Sequence, residues 1–283
     1  MKQMTTIIFC FLFLLASNIN AQVKFPSSSP AQTIRQEFGL GTIEISYSRP
    51  SAKGRRVFGD LVPYGKLWRT GANKATRLTF SDPVEINGRK LDSGSYALYT
   101  IPGEETWEVI INKGIENMGT EGYNESADVM RFKVEPARTK TKTETFTILL
   151  ENIRPDSCEL NLLWEKKSIL IPITVNVREK IRAQIDAAML TDKKPHWQAA
   201  QFYNEYDRNY TRALEHVNKA ISGNRTAYWM YLYKAKIQQE TGDNAGAMES
   251  SKMSLELAKQ AKNSDFVLMN EKLQKALKNS RHE

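Results

Sequence analysis

The chain has 283 residues, 41% hydrophobic and 25% charged, with a formal net charge of +8. That balance excludes a wholly disordered chain and leaves room for two modest domains. Of its two cysteines, Cys10 lies in an N-terminal apolar run, so a fold stapled by internal disulfides is excluded as well.

Residues 1–21 read as a secretory signal. Lys2 supplies a positive start, Ile7 to Leu15 form an apolar run of about nine residues, and Ala21 ends a short polar stretch. The run is too short to span a bilayer, and no later segment is apolar enough to do so. The expected product is exported, periplasmic or extracellular, with no membrane span. Residues 22–30, with three serines between prolines, read as a disordered lead-in.

From Ala31 to Val177 the hydrophobic pattern has period two. Gln32 to Phe38 and Thr42 to Tyr47 flank Gly39-Leu40-Gly41 as a hairpin. Pro83 to Ile86 meets Asn87-Gly88, a turn pair in which both positions tolerate positive φ. Segments 96–101, 106–111, 129–134, 145–150, 159–164 and 168–175 continue the series. Short strands without intervening amphipathic helices predict an antiparallel β-sandwich or open barrel over 31–177.

After Val177 the period changes to that of a helix. Ile181, Ile185, Ala188 and Met189 share one face of a linker helix placed over 178–194, which Pro195 ends. Over 195–283 the sequence repeats. Trp197, Asn209, Ala213 and Ala220 recur 34 residues later as Tyr231, Asp243, Ala247 and Ser254. That period, with a turn in the middle and small residues after it, resembles the tetratricopeptide repeat. A last amphipathic helix over 262–278 is suited to capping a short stack. The expected fold class is therefore α+β and multi-domain, with a TPR-like tail that holds a protein partner.

The charge is not spread evenly. Arg49 to Arg77 contains eight Lys/Arg residues and one acid, Asp60, a local charge of +7. Removing the leader with Lys2 lowers the chain from +8 to +7, so this one segment equals the whole cationic excess of the mature protein. Arginine offers planar donor forks to carboxylate or phosphate, tryptophan offers a flat face, and glycine lets backbone amides approach a ligand. Trp68-Arg69-Thr70-Gly71-Ala72-Asn73 combines all three. Arg55, Arg56, Trp68, Arg69 and Asn73 are accordingly the candidate residues for an anionic or glycan-like ligand. The competing account is architectural: Trp68 plugs the fold, and Arg69 pairs with an acid such as Asp60 or Asp82.

The same segment carries a resemblance. Pro50 to Arg55, Val57-Phe58-Gly59, Val62 to Gly65, Trp68 to Asn73 and Ala75-Thr76, with Gly94-Ser95-Tyr96, Leu98-Tyr99, Ile101-Pro102-Gly103 and Trp107 to Asn112, resemble an exported bacterial family known only as domain of unknown function 2911. The resemblance covers roughly 30–175. It implies an exported β-rich domain, often followed by helical repeats, and brings no activity, cofactor or catalytic residue with it.

Some chemistry can be set aside on residue types. The histidines, His196, His216 and His282, all fall in the helical half, so a His-dependent triad or His-rich metal centre within the β domain is excluded. His196 and His216 are twenty apart and read as residues on solvated helix faces. Cys158 reads as a small core residue rather than a nucleophile. No phosphate loop, nucleophile elbow or zinc-peptidase helix is present. No cofactor, metal or nucleic-acid partner is expected. A hydrolase using carboxylates among Asp60, Asp82, Asp92, Glu105 and Glu108 on carbohydrate remains as an alternative, beside a purely structural domain.

Overall fold

A computed structural model of the chain describes residues 25–279. The leader expected over 1–21, the start of the lead-in and His282 lie outside the described residues. Two antiparallel sheets form the N-terminal part and six helices follow among the described residues. No described helix is long and apolar enough to cross a membrane.

The first sheet has six strands, in the order β1 (Ala31–Phe38), β2 (Gly41–Ser48), β3 (Thr76–Phe80), β6 (Gly94–Ile101), β7 (Trp107–Asn112) and β8 (Asp128–Val134). The second runs β5 (Arg89–Leu91), β4 (Val84–Ile86), β10 (Ser157–Thr174) and β9 (Ala137–Glu151). The β1–β2 and β4–β5 hairpins form where the turn residues place them. Asn87 and Gly88 both adopt positive φ, 49° and 73°, which matches the right-handed twist of the flanking strands. Two departures stand out. Strand β3 begins at Thr76, inside the basic segment, where the sequence pattern does not announce a strand. Segments 159–164 and 168–175 are one strand of 18 residues, continuous through Glu165 to Lys167.

One core joins the two sheets. Ile43, Ile45, Leu78, Leu98 and Val109 from the first meet Ile148, Leu160, Leu162, Ile169 and Ile171 from the second. At its centre Phe58, Trp68, Trp107, Phe146 and Trp164 pack as a cluster of ring contacts, with centroids 4.8–6.3 Å apart. Each such ring contributes roughly 1.5–3 kcal/mol by burial alone. Cys158 is buried here, and burial, then Glu159, pushes its thiol up to about 11. It is an inert core residue.

Helix α1 (Arg178–Met189) is more than a linker. Its Ile185 belongs to the core formed with α2 (His196–Glu205), α3 (Tyr210–Gly223) and α4 (Tyr228–Glu240), while Ile181 and Tyr206 touch both this core and that of the sheets. Helices α5 (Asn244–Gln260) and α6 (Ser264–Asn279) complete the region. The 34-residue correspondence has concrete anchors. Asn209 and Asp243 each cap a helix, accepting from the backbone N–H three residues on, and Ala213 and Ala247 are each fully buried.

The histidines differ from the sequence expectation. His196 and His216 are half-buried and face each other, Nδ1 to Nδ1 at 3.1 Å, with His216 stacked on Tyr203. Helix packing brings together two side chains that each, on its own helix, looked solvated.

Candidate functional site

Two turns of the basic segment build a cleft. The first, Ser51 to Arg55, is tied to β9: Ala52 N–H donates to the Glu144 carbonyl at 2.9 Å, and Lys53 N–H donates to Glu144 Oε1 at 2.6 Å. Lys53 and Gly54 both take positive φ, so the chain reverses tightly and returns Arg55 over its own start. Arg55 then donates from Nε to the Ala52 carbonyl at 2.9 Å and from Nη2 to Ser51 at 3.0 Å. Two carbonyls fix the plane of the fork and leave Nη1 without a protein acceptor among the described residues.

The second turn runs from Trp68 to Thr76. Trp68 exchanges backbone hydrogen bonds with Thr100 of β6, 2.8 and 2.9 Å, so its position is set by the sheet. Its indole N–H donates to the Gly71 carbonyl at 3.0 Å, and Thr76 N–H closes the loop on the Arg69 carbonyl at 3.1 Å. The backbone inside is strained: Thr70, fully buried, has φ 53°, and Gly71 has φ 152°. A β-branched residue in the left-handed region is an outlier, and such strain concentrates at binding and catalytic sites. A Cβ at Gly71 would meet the Ser48 carbonyl at 3.0 Å, so a larger residue cannot follow the turn.

Between these turns lies a cleft of about 380 Å³. Trp68 and Trp164, stacked with centroids 5.8 Å apart, line it from the core side, and Lys53, Arg55 and Arg69 bring three cations. Ser28 and Ser29 of the lead-in form part of its lip. Among the described residues no carboxylate lines it, the Glu144 carboxylate being engaged by the Lys53 N–H. Arg69 is the unusual member. Its Nε is buried with no hydrogen-bond partner, and its guanidinium makes no ion pair with any described residue. Asp82 pairs instead with Lys180, which removes it as an Arg69 partner. Leaving a buried charged donor unsatisfied costs more than an ordinary lost hydrogen bond, about 1–3 kcal/mol or more.

Of the five sequence-predicted residues, the structure gathers three. Arg55, Trp68 and Arg69 meet at the cleft. Trp68 is a core residue, 7% exposed, so little of its ring is free to offer a flat platform. Arg56, next to Arg55, lines a different concavity. Asn73 points elsewhere, donating to Ser48 Oγ at 3.1 Å and the Ser29 carbonyl at 3.4 Å. Among the lining residues outside the sequence-based set, Lys53 and Trp164 add a cation and an aromatic ring. Lys53 sits in the segment already singled out and its Lys-Gly turn was a usable signal; Trp164, on a distant strand, had none.

The five carboxylates considered for hydrolysis are dispersed. Asp60, Asp92 and Glu105 are exposed, Asp82 is held by Lys180 and Glu108 by Arg131, and none lines the cleft.

A family model described as "Protein of unknown function (DUF2911)" matches residues 29–173, all but the last residue of the two-sheet part. No curated protein matches the chain.

Proposed function

We propose that this chain, which belongs to the DUF2911 family of proteins of unknown function, is an exported binding protein that holds a compact anion in the cleft of Lys53, Arg55 and Arg69. The observation that carries this reading is the Arg69 side chain: a partly buried guanidinium with an orphaned Nε, beside two further cations and no acid. A carboxylate, phosphate or sugar-acid group would supply acceptors to the Nη groups of the same guanidinium, which no described residue engages. Arg55 is already aligned by two carbonyls, so little side-chain entropy is lost when its remaining donor engages. The tail fits the same reading as a short TPR-like stack for a protein partner. Its support is the recurrence of capping and buried small residues at Asn209/Asp243 and Ala213/Ala247.

The test is a melting and calorimetry screen with inorganic phosphate, sulfate, citrate and glucuronate. At least one should raise the melting temperature of the wild type. Arg69→Ala should weaken that binding about tenfold or more, since a charge-assisted contact contributes roughly 1.5–3 kcal/mol. Arg69→Lys should recover part of it, restoring the charge without the fork. Without ligand, Arg69→Ala should lose no more than about 0.5 kcal/mol relative to wild type, because no internal partner is stranded and an unsatisfied buried donor is removed. A large loss of stability with no bound anion would make the segment architecture.

A further inference from the structure

Arg56 leads to a second basic concavity, separate from the cleft. It has a volume of about 490 Å³ and is lined by Arg56, Arg138, Lys142, Lys166 and Lys167 with a single acid, Glu165. Phe58 and Tyr64 complete its wall. None of the five cations, nor Glu165, makes an ion pair with a described residue. Arg56 Nε donates to the Phe58 carbonyl at 3.2 Å and Lys167 Nζ to the Glu104 carbonyl at 3.2 Å; the Lys142 and Lys166 ammonium groups have no hydrogen-bond partner among the described residues.

The strand pair beneath this groove is distorted in a way that concentrates the charge. Glu165 pairs with Thr143 and Lys167 with Arg138, so residues 139–142 of β9 oppose the single residue 166 of β10. The bulge puts Glu165 in the left-handed region, φ 50°. It also sets Lys167 directly opposite Arg138, and like charges in cross-strand register are destabilising. Strain and repulsion are thus both present at one site, and an anion seated between the strands relieves the second.

We infer that this groove is a second binding site, for a segment of an acidic polysaccharide bearing carboxylate or sulfate groups on successive sugars. Its cations sit on two neighbouring strands and the 55–64 segment, an array that suits several linked anionic groups better than one. A lipid surface fits less well, because a recess keeps a planar layer of headgroups from meeting all five cations. Single-stranded nucleic acid calls for a series of exposed aromatic platforms, whereas of the two lining aromatics only Tyr64 is part-exposed and Phe58, 4% exposed, packs edge-on against Trp107. The groove stands on its own residues, apart from those of the cleft.

The test uses the full chain with a heparin-derived hexasaccharide at physiological salt. Three variants are compared with wild type by calorimetry: Lys142→Ala/Lys166→Ala in the groove, Arg69→Ala in the cleft, and Lys272→Ala/Lys275→Ala as a charge-matched control on exposed positions of α6. Loss of two charge-assisted contacts in the groove should weaken the hexasaccharide about tenfold or more, while the cleft and control variants stay within about twofold. Arg56→Gln should show an intermediate loss, and circular dichroism should report the native fold in all. Equal losses in the groove and control variants would mean diffuse electrostatics and overturn the proposal. A loss confined to Arg69→Ala would move the glycan to the cleft. Equal or tighter binding of an oligothymidylate of matched charge, or of phosphatidylserine vesicles, through the same lysines would overturn the assignment to a glycan.

Discussion

The helical region and the two-sheet domain differ in how they treat several of their arginines. In the helices, arginines are matched internally. Asp207, its side chain 8% exposed, accepts from Arg178 at 2.8 Å and Arg182 at 2.5 Å, and the Arg182 and Arg212 guanidinium groups lie over the rings of Phe202 and Tyr203. The two-sheet domain has one such hub, Arg131, which gathers Asp128, Glu108 and Glu125. Elsewhere it leaves Lys53, Arg69, Arg56, Lys142 and Lys166 without ion pairs among the described residues, and it does so at concave places. An arginine that completes its own fold carries its acid with it. One that serves a ligand leaves the acid to the ligand.

The comparison breaks most readily at the aromatic core, which both the sheets and the cleft depend on. Trp164 is 2% exposed, donates to the Glu144 carbonyl at 3.0 Å, and stacks on Trp68. Trp164→Ala should cost about 3–5 kcal/mol in a denaturant titration and abolish anion binding at the cleft. A loss below about 1 kcal/mol would mean that the cleft floor does not depend on this ring.

Next in size is the internal partner that Arg69 lacks. Asp207→Ala removes the acceptor that Arg178 and Arg182 share and loosens α1 from the start of the helical core. Both arginines are partly exposed, 55% and 38% at the side chain, so solvent compensates much of the loss. The expected cost is about 1–2 kcal/mol. Arg69→Ala is the contrasting case with almost none. Similar unliganded losses for the two would erase the distinction between structural and ligand-directed arginines.

The smallest effect concerns pH. Burial, then the charges of Lys219 and Lys194, lowers the His196 value; burial, then His196 itself, lowers that of His216. In the unfolded chain both titrate near the ordinary value of about 6.5. Between that value and the lowered folded ones, the unfolded state binds more protons. The pair's contribution is therefore complete above about pH 6.5 and is lost as pH falls toward the folded values. Urea midpoints at pH 7.5 and 5.5 should show the helical region weakening, and His216→Gln should flatten that dependence. Identical pH profiles for both proteins would rule out the histidine contact as the cause.

Much of the fold was written locally. The Asn87-Gly88 turn, the β1–β2 hairpin, the change of period after Val177 and the capping residues Asn209 and Asp243 each express a preference of a few neighbouring residues, and the structure honours them. Strand β3 was not legible because Thr76 to Phe80 is short and begins inside the basic segment, whose charges and turn residues mask its alternation. Nor was the full length of β9, since residues 139–144 alternate threonine with lysine or glutamate and offer no apolar face to read. The site divides along the same line. That residues 49–77 concentrate positive charge suited to an anionic group could be seen from charge alone. Which of Arg55 and Arg56 faces the cleft, that Trp164 forms its floor, that no acid reaches Arg69, and that His196 meets His216 all depend on segments distant in sequence. Sequence determined where positive charge and turn-forming residues accumulate, because those are properties of the residues themselves. Only the tertiary structure decided which charges go unmatched, because a match requires two groups within a few ångströms, and chain packing alone sets that distance.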